Sequence, residues 1–288
     1  MKIGFVILCY GQHDLIIKCV NYLNKLDHVS DAEIVLVDNC SPDNTGEQLE
    51  KDFSNIHNIT VIRNIENEGF AKGNNIGYAY ARQYLNCDCL IVMNSDVFIE
   101  DEYFLIKLQD LVEREKNISI VAPDVLGNRG RHCNPLAPGV IPNKLIIKNI
   151  IFNILANILF SLRIDYRRIK RKKRKKIVTQ KELYNIMPHG CCVIYCPAWI
   201  KKEKQAFYPN TFLFCEEYFL TTYAQKKGYV IAYKPELVVR HLGDASIENT
   251  VSSSLKKQMF INKCQNQSLL KYLKYEKDIE KNWTIYRK

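Results

Sequence analysis

Val35-Leu-Val-Asp-Asn-Cys-Ser41 and Val92-Met-Asn-Ser-Asp-Val97 decide how this chain reads. In each stretch an apolar, β-branched run passes into a polar, acidic turn, which places Asp38 and Asp96 at the C-terminal ends of two strands. In open α/β sheets, ligands bind in the crevice outside those ends. Packing gives no reason for a carboxylate there, since a core takes apolar groups and a turn needs only Asn or Gly.

Outward from these two stretches, the first 125 residues keep one alternation. Short apolar runs at Ile3–Cys9, Ile34–Val37, Ile59–Ile62, Cys89–Met93 and Ser119–Ala122 are separated by helical patterns at Asp14–Leu26, Thr45–Phe53, Ala71–Leu85 and Tyr103–Glu113. Strand and helix in alternation predict an α/β fold with a mostly parallel central sheet flanked by helices. Asn44 or Asp43 is placed to cap the second helix. From about Gly127 the pattern breaks into a Gly-, Pro- and Arg-containing loop, followed by the apolar stretch Leu145–Leu162 and the basic run Arg167–Lys176. Strand character resumes at Cys192–Cys196 and Val230–Tyr233, and a Lys-rich helix is expected from about Ser253 to Lys274. The predicted organisation is an α/β half at 1–126, an insertion at 127–180, a second half at 181–250 and a helical tail at 251–288.

Of the 288 residues 47% are hydrophobic, enough to bury a substantial core. Nine of the ten net positive charges can be assigned to Arg167–Lys176, so the basic balance is a local device. Eleven cysteines in a chain that opens directly on a strand, without a signal peptide, point to a reducing compartment. No Cys-x-x-Cys pair recurs at zinc spacing, so the cysteines read as small buried hydrophobes.

Five motifs carry chemistry. An Asx-turn accounts for Asp43 and Asn44 but leaves Asp38 free to accept from a base N–H or a ribose hydroxyl. In Asn94-Ser95-Asp96, alternate residues of an extended segment can approach one hard cation; a plain turn is the other reading. Asn67–Gly77 carries Gly69, Gly73 and Gly77 at four-residue spacing and is neither a dinucleotide fingerprint nor a P-loop. Close helix packing explains the glycines, whereas Asn67, Asn74 and Asn75 point to a polar lining near a helix N-terminus. Glu216 and Glu217 follow an apolar stretch: one acid can cap a helix while the other, about 100° round, faces a site as general base. His241, at the end of the strand Glu236–Arg240, is either a structural hydrogen bonder or a partner of Asp96 in a metal shell.

Taken in order, Val6-Ile-Leu-Cys-Tyr10, Val37-Asp-Asn-x-Ser41, Asn67-x-Gly-Phe-Ala71 with Asn74, Asn94-Ser-Asp96, Gly190, Phe214-x-Glu-Glu217 and His241 with Ser246 resemble glycosyltransferase family 2. The likeness is to its GT-A fold and especially its rhamnosyltransferase-like branch, and it covers about residues 2–246 apart from the insertion. It implies that Asp38 contacts the nucleotide base, with Tyr10, Asn39, Ser41, Asn67, Gly69, Phe70, Asn74, Asn94 and Ser95 around the nucleotide. It further implies that Asp96 binds a divalent ion, Mg²⁺ or Mn²⁺, under the diphosphate. Glu217 falls at the general-base position and His241 at the late metal or phosphate position. The chain departs from the family at Asn94, where many members have Asp, and at Glu217, where Asp is more usual. Phe219 replaces a second acid, which leaves Glu216 a competing base.

The activity implied is inverting transfer of a sugar from a nucleoside-diphosphate donor to a hydroxyl of a lipid-linked saccharide acceptor, in cell-surface polysaccharide biosynthesis. A sugar nucleotidyltransferase would carry a Gly-rich, basic loop after the first strand, and Tyr10-Gly-Gln-His-Asp14 has one Gly and no Lys or Arg. A membrane-bound scaffold without catalysis is the other alternative. As a helix, Leu145–Leu162 would be about 27 Å long, close to a bilayer core, but Asn149, Asn153, Asn157 and Ser161 form a polar line along it. Lying in the interface fits better, with residues 145–176 against an anionic membrane at roughly 1 kcal/mol per basic residue. A helix packed on the domain, followed by a solvated charge run, is the competing reading. Nucleic acid is not expected as a partner, because aromatics do not interleave with the charges. The expected location is cytoplasmic and peripheral at the inner face of the cell membrane. Lys/Ile/Asn-rich composition hints at a bacterial source, and a homodimer stays open.

Overall fold

Alternation along Ile3–Cys9 (β1) sends Phe5, Ile7 and Cys9 into one apolar core and Val6 into another, the expected behaviour of a strand covered on both faces. The structure, a computed structural model, describes residues 1–127, 130–164, 180–243 and 254–276, together with Ile279 and Trp283. The basic run 167–176 and Ser246 lie outside the described residues.

After β1 come α1 (His13–Leu23), β2 (Glu33–Asp38), α2 (Thr45–Phe53), β3 (Ile59–Arg63), α3 (Gly69–Gln83) and β4 (Cys89–Asn94). The chain continues through β5 (Val97–Phe98), α4 (Phe104–Arg114), β6 (Ile118–Gly127), β7 (Arg131–His132), α5 (Asn143–Ser161), β8 (Leu183–Tyr184) and β9 (Cys192–Tyr195). It closes with α6 (Pro197–Ile200), α7 (Glu216–Lys227), β10 (Val230–His241) and α8 (Ser254–Tyr275). The ten strands among the described residues form one mixed sheet whose main path is β3-β2-β1-β4-β9-β6-β10-β5. β3, β2, β1 and β4 run parallel, as do β6 and β10, while β9 runs antiparallel between β4 and β6. The start of β9 therefore meets the C-terminal ends of its neighbours, and segments from distant parts of the chain converge on one edge.

Two strands differ from the sequence reading. Val230–Tyr233 and Glu236–Arg240 are one strand, β10, with a break in register between Lys234 and Val238. Pro235 lies in that break, where its missing N–H removes no ladder bond. β6 runs on to Gly127 because β10 and β7 pair with its distal end. At α2, Asp43 does the capping work, accepting from the Thr45 hydroxyl at 2.6 Å and the Thr45 N–H at 3.3 Å. In α3, a Cβ at Gly77 would stand 2.5 Å from Val6 Cγ1 and 2.7 Å from Val37 Cγ2, so the helix packs too closely on the sheet to admit a larger residue there.

The apolar stretch at 145–162 is the helix α5, and it lies on the protein along one side only. Ile146, Ile150, Asn153, Ala156 and Phe160 are buried. Part of the Asn line supplies the contact with α8: the Asn153 amide donates to Asn266 Oδ1 at 3.0 Å, and the Asn262 amide donates to Asn157 Oδ1 at 2.8 Å. Leu145, Ile147, Ile151, Ile154, Leu155 and Ile158 are about half exposed on the outer side. By length and composition this helix could cross a membrane.

Candidate active site

The parallel register sets Cys9 opposite Asp38 and Leu8 opposite Asn94, so β1, β2 and β4 end at one level. Just past β4 the chain turns through Ser95 and Asp96 into β5, which pairs antiparallel with the end of β10. Val97 then stands opposite His241, and the Leu242 N–H donates to the Asp96 carbonyl at 3.0 Å. Asp96 Oδ2 comes within 3.3 Å of His241 Nε2. The carboxylate is 2% exposed, and its Oδ1 has no partner among the described residues. A buried carboxylate oxygen without a donor is costly, and a cation is the group that would satisfy it. A carboxylate with an imidazole fits a divalent transition-metal ion such as Mn²⁺ better than Mg²⁺, which takes oxygen ligands.

A cavity of about 870 Å³ opens at this sheet edge. Tyr10, Asn39, Asn67, Gly69, Phe70 and Asn94 line one end, and Asp96, His241, Glu216 and Glu217 also border it. Asp38, Ser41, Asn74 and Ser95 are not among its lining side chains. Asp38, 4% exposed, accepts from the Ser41 hydroxyl and from the Ser41 N–H at 3.3 Å, while the Gly11 N–H donates to Ser41 Oγ at 2.7 Å. Asp38 and Ser41 thus tie the loops after β1 and β2 together. Asn74 is 1% exposed; its amide donates to the Phe70 carbonyl at 2.9 Å within α3, and its Oδ1 has no partner among the described residues.

Asn39 organises the entry to α3. Its amide donates to Asn67 Oδ1 at 3.0 Å and its Oδ1 accepts the Glu68 N–H at 3.1 Å, while Asn67 Oδ1 also accepts the Gly69 N–H at 2.9 Å. Gly69 has φ +75° and abuts the loop before α7; a Cβ there would lie 2.5 Å from the Phe212 carbonyl oxygen. The Phe70 N–H donates to that same carbonyl at 2.6 Å. The strand-end loops are thereby joined to the segment carrying the two glutamates.

That segment is strained: Phe214 and Cys215, neither a glycine, hold φ of 69° and 68° just before Glu216. Such residues cost of order 1–3 kcal/mol each and persist where surrounding structure imposes them. Glu216 is 3% exposed, and its Oε1 has no partner among the described residues. Burial, and then the neighbouring Glu217 charge, pushes its carboxyl up to about 8. Burial alone raises Glu217 to about 7. Glu217 lies beside Gly190, whose missing side chain leaves room: a Cβ there would stand 3.7 Å from Glu217 Oε2.

Several lining residues escaped the sequence reading. His189 and Cys191 flank Gly190 at the start of β9, and Phe212 to Phe214 form an apolar wall. Asn149, Phe152 and Asn153 of α5 and Phe260, Gln265 and Leu269 of α8 close the far end. The Asn spacing on α5 and the position of Gly190 were signals for part of this set, but neither says which residues meet.

The model of the family described as "Glycosyl transferase family 2" matches residues 5–195. The chain belongs to glycosyl transferase family 2. Within the family, it is 32% identical over 126 residues to the low-salt glycan biosynthesis hexosyltransferase Agl10 of Haloferax volcanii, a match covering 41% of the chain and 38% of Agl10. This family 2 chain also shares the GT-A-type architecture of solved glycosyltransferases. TarS of S. aureus, solved with UDP-GlcNAc, superposes with a TM-score of 0.55 at 18% identity, covering 92% of this chain and 66% of that one. The mannosyltransferase PcManGT from Pyrobaculum calidifontis, solved with GDP-Man and Mn²⁺, gives 0.54 at 11% identity, covering 99% and 76%. GalNAc-T7, solved with UDP, GalNAc and Mn²⁺, gives 0.59 at 13% identity, covering 98% and 54%. The chain thus spans about two fifths of Agl10 and about two thirds of TarS.

Proposed function

We propose that this chain moves a sugar from a nucleoside-diphosphate donor to a hydroxyl of a saccharide acceptor, with inversion at the anomeric carbon. The observation that carries the reading is one cavity holding both a buried, unsatisfied carboxylate beside a histidine and a second carboxyl with raised proton affinity. In this reading Tyr10, Asn39, Asn67 and the α3 entry receive the nucleotide. Asp38 keeps the base-recognition role that the family resemblance implies, together with the loop it holds through Ser41. Asp96 and His241 would hold a divalent cation, which when bound supplies positive charge to the departing diphosphate. Glu217 takes the proton of the acceptor hydroxyl as that oxygen bonds to the anomeric carbon and the bond to the diphosphate oxygen breaks. One base suffices because the donor already carries a good leaving group. Glu216, more deeply buried, is the competing base.

The outer face of α5 supports peripheral attachment to a membrane at the cytoplasmic side, with the basic run 167–176 following in sequence. Phe152 of that helix also lines the cavity. A lipid-linked acceptor could therefore reach Glu217 from the surface on which the helix rests.

Binding tests the reading. In a thermal-shift panel of nucleoside diphosphates with and without Mn²⁺, the cognate base at about 100 times its Kd should stabilise the chain by ~2.7 kcal/mol. For a chain of this size that corresponds to a Tm rise of about 4–5 °C. Asp96→Asn should remove the Mn²⁺-dependent part. A flat panel under both conditions would overturn the assignment.

A further inference from the structure

Beside the pair Asp96–His241 stand a second imidazole, His189, and a thiol, Cys191. His189, Cys191 and His241 each offer one ligand atom, and these atoms all lie within 4.8 Å of one another. The His189 and His241 rings meet edge to face at 5.5 Å between centroids, and the Cys191 N–H donates to His189 Nδ1 at 3.2 Å. Cys191 is 3% exposed, yet it borders the cavity along with Asp96 and both histidines. A second, independent observation points to a ligand here: Asp96 Oδ1 is buried without a partner among the described residues, while its other oxygen faces His241 at 3.3 Å.

We propose that His189, Cys191, His241 and Asp96 form a four-donor Zn²⁺ site, in which Zn²⁺ excludes a hard divalent cation by taking Asp96 and His241. Two imidazoles, a thiolate and a carboxylate are the donors that zinc takes in tetrahedral coordination. Thiolate favours zinc over magnesium or calcium, which take oxygen. In a tetrahedral site with ordinary Zn–N and Zn–S bonds, these donors stand about 3.3–3.6 Å apart. The His189, Cys191 and His241 atoms, within 4.8 Å of one another, thus have to close by roughly an ångström, and Asp96 joins them from the side on which it meets His241 Nε2 at 3.3 Å. Cysteine binds zinc as the thiolate, so binding releases the Cys191 proton to solvent. Sequence spacing could not reveal the site, because His189-Gly-Cys191 lies in the turn before β9 and His241 ends β10, strands that are not neighbours in the sheet.

The site rests on its donors and not on the transfer reaction, so it can be tested without donor or acceptor. Co²⁺ titrated into the metal-free full chain should give a near-ultraviolet thiolate-to-cobalt charge-transfer band with visible absorption typical of four-coordination, and Zn²⁺ should abolish both at one equivalent. Cys191→Ser should lose the charge-transfer band, and Cys40→Ser, which alters an exposed thiol, should keep it. Because Cys191 is buried, half-buried His189→Ala is the second variant. It should weaken Zn²⁺ binding by at least the ~10–100-fold that loss of an outer-shell partner costs. In the parent, Zn²⁺ should also release bound Mn²⁺, detected as the free-ion electron paramagnetic resonance signal. The proposal fails if no thiolate band forms, if the band survives Cys191→Ser, if His189→Ala binds Zn²⁺ as the parent does, or if Zn²⁺ and Mn²⁺ bind together.

Discussion

Replacing Glu217 by Gln keeps the shape of the side chain and removes the only change of charge it can undergo. Burial raises this carboxyl from 4.5 to about 7, which makes the ionised form on the order of 3 kcal/mol harder to hold than in water. The same cost makes it a stronger base. Parent turnover, followed as release of nucleoside diphosphate, should therefore rise with pH and level off above about 7. Glu217→Gln should lower it by ~10²–10⁴-fold, the usual worth of a positioned base, while nucleotide binding stays intact. Stability supplies an independent readout. Between pH 4.5 and 7 the folded protein keeps a proton that the unfolded chain has lost, so this carboxyl's contribution is full below 4.5 and fades as pH rises through 7. Gln cannot ionise, so the variant's Tm should exceed the parent's more at pH 8 than at pH 5. Turnover within tenfold of the parent, with the pH limb unchanged, would refute the assignment of the base.

Glu216→Gln should raise Tm at pH 8 relative to pH 5 by the same logic, since its carboxyl is pushed up to about 8. If it abolishes turnover while Glu217→Gln does not, the base is Glu216. Gly69→Ala places a Cβ 2.5 Å from the Phe212 carbonyl at a φ of +75°; it should cost about 1 kcal/mol or more in denaturant unfolding and weaken nucleotide binding. Changing Ile151, Leu155 and Ile158 together to Asp should leave Tm within a few degrees and abolish co-flotation with anionic vesicles, whereas unchanged flotation would remove α5 from the membrane contact.

Much of the fold was legible along the chain. Alternation of short β-branched runs with helical patterns placed β1 to β4 and α1 to α4 close to where they stand, because local periodicity reports which face of an element is buried. It also put Asp96 at a strand end and Glu217 after an apolar turn. The antiparallel insertion of β9 between β4 and β6 was not legible, since it depends on pairings between residues about 70 to 100 positions apart. Nor was the role of the Asn line on α5: four-residue spacing gives a polar side, but the partners lie over 100 residues on, in α8.

The two strand-end aspartates mark the boundary between these kinds of information. Sequence alone determined that each carboxylate follows an apolar strand, because hydrophobic runs end where the sheet meets solvent. Only the tertiary structure decided where each one points. Asp38 turns to Ser41 and joins two loops, whereas Asp96, carried by β5 onto β10, meets His241 with one oxygen unsatisfied. Side-chain direction at a strand end is fixed by whichever distant segment packs there, and no local pattern encodes that segment.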